Sequence, residues 1–163
     1  MKAVIPLAGK GTRLRPLTLS TPKPLLKVAG KPVLSFILDD LVQLGIEEVV
    51  FIVGYLREAV EAWISQHYPD LLAHYVLQEV QDGTAGAVAL AEPYIDSDVL
   101  IVFPDAVIEV DYGLIRSLDP GCGGIIWAME VENYQRYGVI VTDDAGYMAR
   151  IIEKPSEPVS KLA

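Results

Sequence analysis

The sequence has only one cysteine, Cys122, so an internal disulfide and a metal site built from several thiolates are both excluded. It also lacks an unbroken run of about 18 apolar residues, which excludes a membrane-spanning helix. The short apolar stretch after the start is interrupted by Pro6, so we predict no export signal and a cytoplasmic location. What remains is a chain of 163 residues, 52% of them hydrophobic, which is enough for one α/β domain.

Acidic residues are absent before Asp39, although the whole chain carries a net charge of -9. An acidic total argues against a general nucleic-acid binder. The first 38 residues nevertheless contain seven basic side chains, and the remaining residues hold only six against 22 acidic ones. The seven are Lys2, Lys10, Arg13, Arg15, Lys23, Lys27 and Lys31. We therefore predict that the N-terminal segment binds anions.

Apolar runs of strand length alternate with helical patterns, which is typical of a sheet with crossover helices. The predicted strands are 2–7, 49–53, 75–77, 99–103, 125–131, 138–141 and 149–152, with some of the later ones antiparallel. The predicted helices are 33–44, 57–66 and 84–91. No repeat or internal linker interrupts the pattern, so we predict one domain.

The first predicted strand ends in the glycine-rich turn Leu7-Ala8-Gly9-Lys10-Gly11-Thr12-Arg13. Small residues let a ligand approach the backbone closely, and free N–H groups can bind phosphate. A dinucleotide fingerprint would need glycine at Leu14, which counts against an NAD-dependent dehydrogenase, and no P-loop pattern is present. A plain tight turn is the alternative. Prolines on both sides of Lys23 indicate a fixed loop, so phosphate binding is favoured.

The turn and the following Pro22-Lys23-Pro24-Leu25-Leu26 segment together resemble the signature of the sugar-1-phosphate nucleotidylyltransferases. The resemblance continues across essentially the whole chain. It implies an α/β fold, a Rossmann-like three-layer α/β/α arrangement with a mixed, mainly parallel sheet, over residues 1–163. It also implies joining of a nucleoside triphosphate (NTP) to a sugar 1-phosphate with release of pyrophosphate.

The resemblance assigns roles to residues of this chain. Arg13 and Lys23 match the family's catalytic cations, which contact the triphosphate and stabilise charge at the reacting phosphates. Gln78 matches a glutamine that reads the base in uridylyl and thymidylyl members, and an amide suits a pyrimidine's N–H and carbonyl. The implied nucleotide-binding set is Leu7, Ala8, Gly9, Gly11, Thr12, Arg13, Gln78 and Gly83.

Asp105 follows a predicted buried strand and resembles the aspartate that binds Mg²⁺ in the family. Pro104 replaces the family's usual glycine there. Gly138, Glu153 and Lys154 resemble the residues that bind the sugar and its phosphate. The family's second metal-binding aspartate lies on a later strand than this sequence supplies, so we expect a domain truncated at its C-terminus.

The expected partners are an NTP, with dTTP or UTP favoured, and a sugar 1-phosphate, with glucose 1-phosphate favoured. No nucleic acid and no membrane are expected, and assembly into a homo-oligomer stays open. Two alternatives remain at this point. One is a mannose-1-phosphate guanylyltransferase, which the Gly83-Thr84-Ala85-Gly86-Ala87 run also resembles. The other is a non-catalytic nucleotide-binding or regulatory relative.

Overall fold

The computed structural model describes residues 1–105 and 110–163. The chain divides into two compact units, Met1–Glu109 and Val110–Ala163. None of the helices in the described ranges is both long enough and apolar enough to cross a membrane.

The first unit is built on a four-stranded parallel sheet. In chain order its elements are β1 (Lys2–Pro6), β2 (Lys27–Val28), β3 (Lys31–Pro32), α1 (Val33–Gln43), β4 (Glu48–Val53), α2 (Arg57–His67), β5 (Leu72–Leu77), α3 (Thr84–Ala89) and β6 (Val99–Ile101). The strand order in the sheet is β5-β4-β1-β6, and every pairing is parallel. The short strands β2 and β3 form a separate antiparallel pair.

The central strands β1 and β4 are apolar and buried along nearly their whole length, as expected for a parallel sheet covered on both faces. On one face, Val4, Val50 and Ile52 pack with Ala87 of α3 and with Ala91. The crossovers from β1 to β4 and from β4 to β5 run across the sheet in the direction opposite to that from β5 to β6. Because such crossovers are right-handed, α1 and α2 lie on the face opposite α3. The first unit therefore has the three-layer α/β/α arrangement predicted from the sequence.

Helix α1 buries its apolar side through residues at helical spacing, including Leu34, Leu38 and Leu41. Its end is closed by a Schellman motif around Gly45, whose φ is +77°. The Gly45 N–H donates to the Val42 carbonyl, and the Ile46 N–H donates to the Leu41 carbonyl. This closure turns the chain directly into β4.

The second unit contains the antiparallel hairpin β7 (Gly138–Thr142) and β8 (Met148–Glu153). The hairpin confirms the predicted strands at 138–141 and 149–152, and it is antiparallel, as predicted for some of the later strands. The strand predicted over 125–131 is wrong. In that stretch the backbone makes one isolated bridge, between Glu130 and Leu162. Among the described residues, backbone hydrogen bonds with 161–163 involve only Met129 and Val131 of this stretch.

The other differences concern the ends of elements. Strand β5 begins at Leu72, earlier than predicted, and β6 ends at Ile101 rather than at residue 103. The predicted sheet was mixed and mainly parallel. The described four-stranded sheet is parallel, and the described antiparallel strands form separate pairs. Residues 102–105 leave β6 as an irregular segment, and this segment contributes to the cavity described below.

A polar cluster lies at the amino ends of the parallel strands. Lys2 Nζ lies 3.1 Å from both Glu48 Oε1 and Asp96 Oδ2, and it donates to the Tyr94 carbonyl at 2.9 Å. His74 Nε2 lies 3.0 Å from the same Glu48 oxygen. The hydrogen bond from Lys2 holds the pKa of Glu48 below its ordinary value, and burial opposes this only in part.

We expect Glu48→Gln to lower the melting temperature at neutral pH. A carboxylate whose pKa is lowered by folding stabilises the fold above its unfolded pKa of about 4.3, and this stabilisation is lost as the pH falls through the folded pKa. The difference between the variant and the unaltered chain should therefore shrink below that pH, measured by thermal unfolding from pH 3 to pH 7. Glu47→Gln, at an exposed neighbour, is the control. A pH-independent difference would contradict the ionic role of Glu48.

Candidate active site

A cavity of about 330 Å³ lies where β1, β5 and β6 end. Strand order reverses beside β1, because β4 and β5 lie on one side of it and β6 on the other. In open parallel sheets such a switch point, at the carboxyl ends of the strands, is where ligands bind. The lining residues are Pro6, Leu7, Ala8, Gly9, Lys23, Pro24, Gln78, Gln81, Gly83, Thr84, Ala87, Phe103, Pro104 and Asp105.

The glycine-rich turn after β1 is held in one conformation by close packing. Gly11 has φ +60°, and a Cβ on it would lie 2.9 Å from Thr18 Cγ2. The buried Thr18 hydroxyl donates to the Gly11 carbonyl at 2.9 Å. On the β4 side, a Cβ on Gly54 would lie 2.9 Å from Ala8 Cβ, so the backbone there approaches the turn closely. The turn is thus a fixed part of the cavity wall.

Several basic side chains lie at or near this turn. Lys10, Arg13 and Arg15 form no ion pair with any residue in the described ranges, and all three are exposed. Lys23 instead places Nζ 3.1 Å from Asp105 Oδ2 inside the cavity. Unpaired cations raise the local concentration of anions, so this edge of the sheet is suited to anionic ligands.

The loop between β5 and α3 closes the other side of the cavity. Gln78 is 8% exposed, and its Nε2 donates to Asp82 Oδ1 at 3.1 Å. Gln81 donates from Nε2 to the Ala8 carbonyl at 2.9 Å, which joins this loop to the glycine-rich turn. Gln81 and Asp82 were not among the residues predicted for the site. Their spacing of three and four residues after Gln78 was the available signal.

The residues predicted for the sugar phosphate lie in the second unit. Gly138 pairs with Glu153 across the β7-β8 hairpin, and a Cβ on Gly138 would lie 2.9 Å from Glu153 Oε2. Lys154 directly follows β8 with φ +43°, and its Nζ lies 3.3 Å from Glu153 Oε1. Strained backbone of this kind is concentrated at functional sites. The contacts of Glu153 with Gly138 and with Lys154 place these three residues in one local cluster.

The structure brings together part of the predicted site. Leu7, Ala8, Gly9, Lys23, Gln78, Gly83 and Asp105 all line the cavity. Gly11, Thr12 and Arg13 lie in the turn and the short 3₁₀ helix after it, and they do not line the cavity. A larger cavity of about 1060 Å³ in the second unit, between residues 118 and 162, contains none of the predicted site residues.

Comparison with known proteins shows the family of this chain. The pattern of the nucleotidyl transferase family matches residues 2–163. The chain belongs to the nucleotidyl transferase family. This nucleotidyl transferase is 37% identical to the UTP–glucose-1-phosphate uridylyltransferase AglF of Haloferax volcanii, over 99% of the chain and 68% of that protein. It is also 37% identical to the mannose-1-phosphate guanylyltransferase catalytic subunit beta of Drosophila melanogaster, over 98% of the chain and 45% of that protein.

The fold of this nucleotidyl transferase also matches solved structures. It superposes on a UDP-glucose pyrophosphorylase complexed with UDP-glucose with a TM-score of 0.83 at 24% identity, over 99% of the chain and 72% of that structure. This likeness confirms the predicted fold class. The chain spans less than half of some relatives, for example 38% of the bifunctional protein GlmU of Methanocaldococcus jannaschii.

Proposed function

We propose that this nucleotidyl transferase joins an NTP to a sugar 1-phosphate and releases pyrophosphate, with UTP or dTTP and glucose 1-phosphate as the favoured substrates. The observation that carries the proposal is the cavity at the strand switch point, with a fixed glycine-rich turn, Lys23 and an adjacent group of unpaired cations. The named activity of the Haloferax relative supports the uridine nucleotide and the glucose phosphate.

In this reaction an oxygen of the sugar phosphate attacks the α-phosphorus of the nucleotide and forms a new P–O bond. The bond from the α-phosphorus to the α,β-bridging oxygen breaks, and that oxygen leaves with the electron pair as part of pyrophosphate. The nucleophile is already an anion, so no general base is needed. Catalysis then depends on positioning two polyanions and stabilising the charge on the leaving group.

The cavity residues suit these tasks. The backbone of Leu7 to Gly9 lies along the wall and can approach the nucleotide closely, because small side chains follow Leu7. Lys23 lines the cavity, and Arg13 lies in the short 3₁₀ helix that follows the glycine-rich turn. Together they would stabilise negative charge on the phosphates, which is the chief electrostatic requirement of the reaction.

Asp105 would bind Mg²⁺ in this proposal. The described residues contain no group of three or more His, Cys, Asp or Glu side chains able to hold a metal by themselves. Asp105 supplies a single carboxylate, and its Oδ2 lies 3.1 Å from Lys23 Nζ. This donor set fits Mg²⁺, which is commonly held by one or two carboxylates together with substrate phosphates. When bound, the ion would neutralise phosphate charge.

We expect Lys154→Ala to weaken use of the sugar phosphate much more than use of the nucleotide. A charge-assisted hydrogen bond contributes about 1.5–3 kcal/mol, so the KM for glucose 1-phosphate should rise about 10- to 100-fold. Alanine retains the Cβ and so leaves the positive φ equally strained. Lys161→Ala, at an exposed lysine beside Glu132, is the matched control. An equal rise in both KM values would contradict this role for Lys154.

The guanylyltransferase alternative is supported by the Drosophila relative. Pyrophosphate release should be measured with UTP, dTTP, GTP, CTP and ATP, each paired with glucose 1-phosphate and mannose 1-phosphate. We expect the largest kcat/KM with UTP or dTTP and glucose 1-phosphate. Preference for GTP and mannose 1-phosphate would favour the alternative. Nucleotide binding without pyrophosphate release from any pair would favour a non-catalytic relative.

A further inference from the structure

The amide of Gln78 is fixed in one orientation by its neighbours. Its Nε2 lies 3.1 Å from Asp82 Oδ1 and 3.5 Å from the Gly83 carbonyl. Both neighbouring oxygens can only accept, since one belongs to a carboxylate at neutral pH and the other to the backbone. The NH₂ group must therefore face them. The remaining polar atom of the amide, Oε1, accepts no hydrogen bond from residues 1–105 or 110–163.

The position of Asp82 depends on Gly86 in helix α3. A Cβ at Gly86 would overlap the Asp82 carboxylate, so that carboxylate occupies the space that any other residue would fill. Glycine inside a helix costs about 1 kcal/mol relative to alanine. Gly86 is thus locally unfavourable for the helix, yet it leaves the space in which Asp82 reaches Gln78.

We propose that Asp82, which packs against Gly86, is a positioning residue. It orients the Gln78 amide so that Oε1 is presented to the nucleobase as a hydrogen-bond acceptor. This proposal rests on the proposed function. A fixed acceptor selects bases with an N–H on the ring nitrogen of their Watson–Crick edge. Uracil, thymine and guanine have this N–H, whereas cytosine and adenine have a lone pair at that position. The arrangement therefore favours UTP over CTP, two nucleotides of the same size.

The base preference is tested by the ratio of kcat/KM for UTP to that for CTP, with glucose 1-phosphate as acceptor. In Asp82→Ala only the long 3.5 Å contact with the Gly83 carbonyl still holds the NH₂ group, so the amide can rotate and offer its NH₂ to cytosine. The ratio should fall about tenfold, the equivalent of one hydrogen bond. Gly86→Ala should lower the ratio similarly while preserving or raising thermal stability, since the flexible carboxylate can move aside. Glu79→Ala removes an exposed carboxylate from the same loop and should leave the ratio unchanged.

The orientation itself has a readout that does not depend on turnover. In ¹⁵N-labelled protein the side-chain NH₂ signals of Gln78, assigned by their loss in Gln78→Glu, should shift in Asp82→Ala and Gly86→Ala but not in Glu79→Ala. An unchanged nucleotide ratio in both variants, or unchanged NH₂ signals, would overturn the proposal. If no pair of substrates releases pyrophosphate, the proposed function fails separately. Direct binding of UTP and CTP to the same variants then decides the base preference, and equal affinities in the unaltered protein would overturn it.

Discussion

Lys23→Ala is expected to lower kcat by about 10²- to 10³-fold, the range found when one preorganised donor to developing transition-state charge is removed. Lys23 is the only Lys or Arg among the residues that line the described cavity. Its Nζ is held there by Asp105 Oδ2 at 3.1 Å, and the flanking Pro22 and Pro24 restrict the backbone that carries it. Without this ammonium group, the residues that line the described cavity include no cationic side chain of Lys or Arg.

The loss should appear in pre-steady-state and steady-state pyrophosphate release at saturating substrates, with little change in thermal stability. The pair of Lys23 with Asp105 is partly exposed, and such pairs contribute only about 0–1 kcal/mol to folding. Lys27→Ala is the matched control, since this exposed lysine belongs to the same basic segment but does not line the cavity. A similar loss in both variants would mean that overall charge, and not the position of Lys23, sets the rate.

The sequence was sufficient for the parallel core because its signals are local. Buried runs such as 49–53 and the period of α1 are readable without knowing their partners. The run at 125–131 shows the limit, because a strand also needs a neighbour. Its apolar composition predicted a strand, whereas in the described structure this stretch makes one isolated bridge, between Glu130 and Leu162. Strand pairing is a long-range property, and residue composition does not specify it.

In the candidate site too, some residues could be predicted from local sequence and others could not. Leu7, Ala8 and Gly9 could be predicted to line a ligand cavity, because a glycine-rich turn directly follows a buried strand. The roles of Gln81 and Asp82 depend on how the loop folds. Gln81 bonds to the Ala8 carbonyl, 73 residues away in the chain, and Asp82 packs against Gly86, only four residues away, once the loop turns into α3. The catalytic and binding roles assigned to Arg13, Lys23 and Lys154 stay predictions.

Asp105→Asn should reduce turnover at least as strongly as Lys23→Ala, and it should also raise the Mg²⁺ concentration needed for half-maximal rate. Asparagine keeps the shape of the side chain but removes the negative charge that a hard divalent cation requires. It also leaves the Lys23 ammonium group without its carboxylate partner.

These two consequences can be separated experimentally. If Asp105 acts only by holding Lys23, the double variant should be no slower than Lys23→Ala alone, and the Mg²⁺ dependence should not move. If Asp105 also holds the metal, the double variant should be slower than either single variant and its Mg²⁺ requirement should stay raised. Asp70→Asn, at an exposed aspartate that does not line the cavity, is the matched control. Unchanged turnover in Asp105→Asn would remove Asp105 from the site. It would leave Lys23 and the turn cations as the proposed electrostatic machinery.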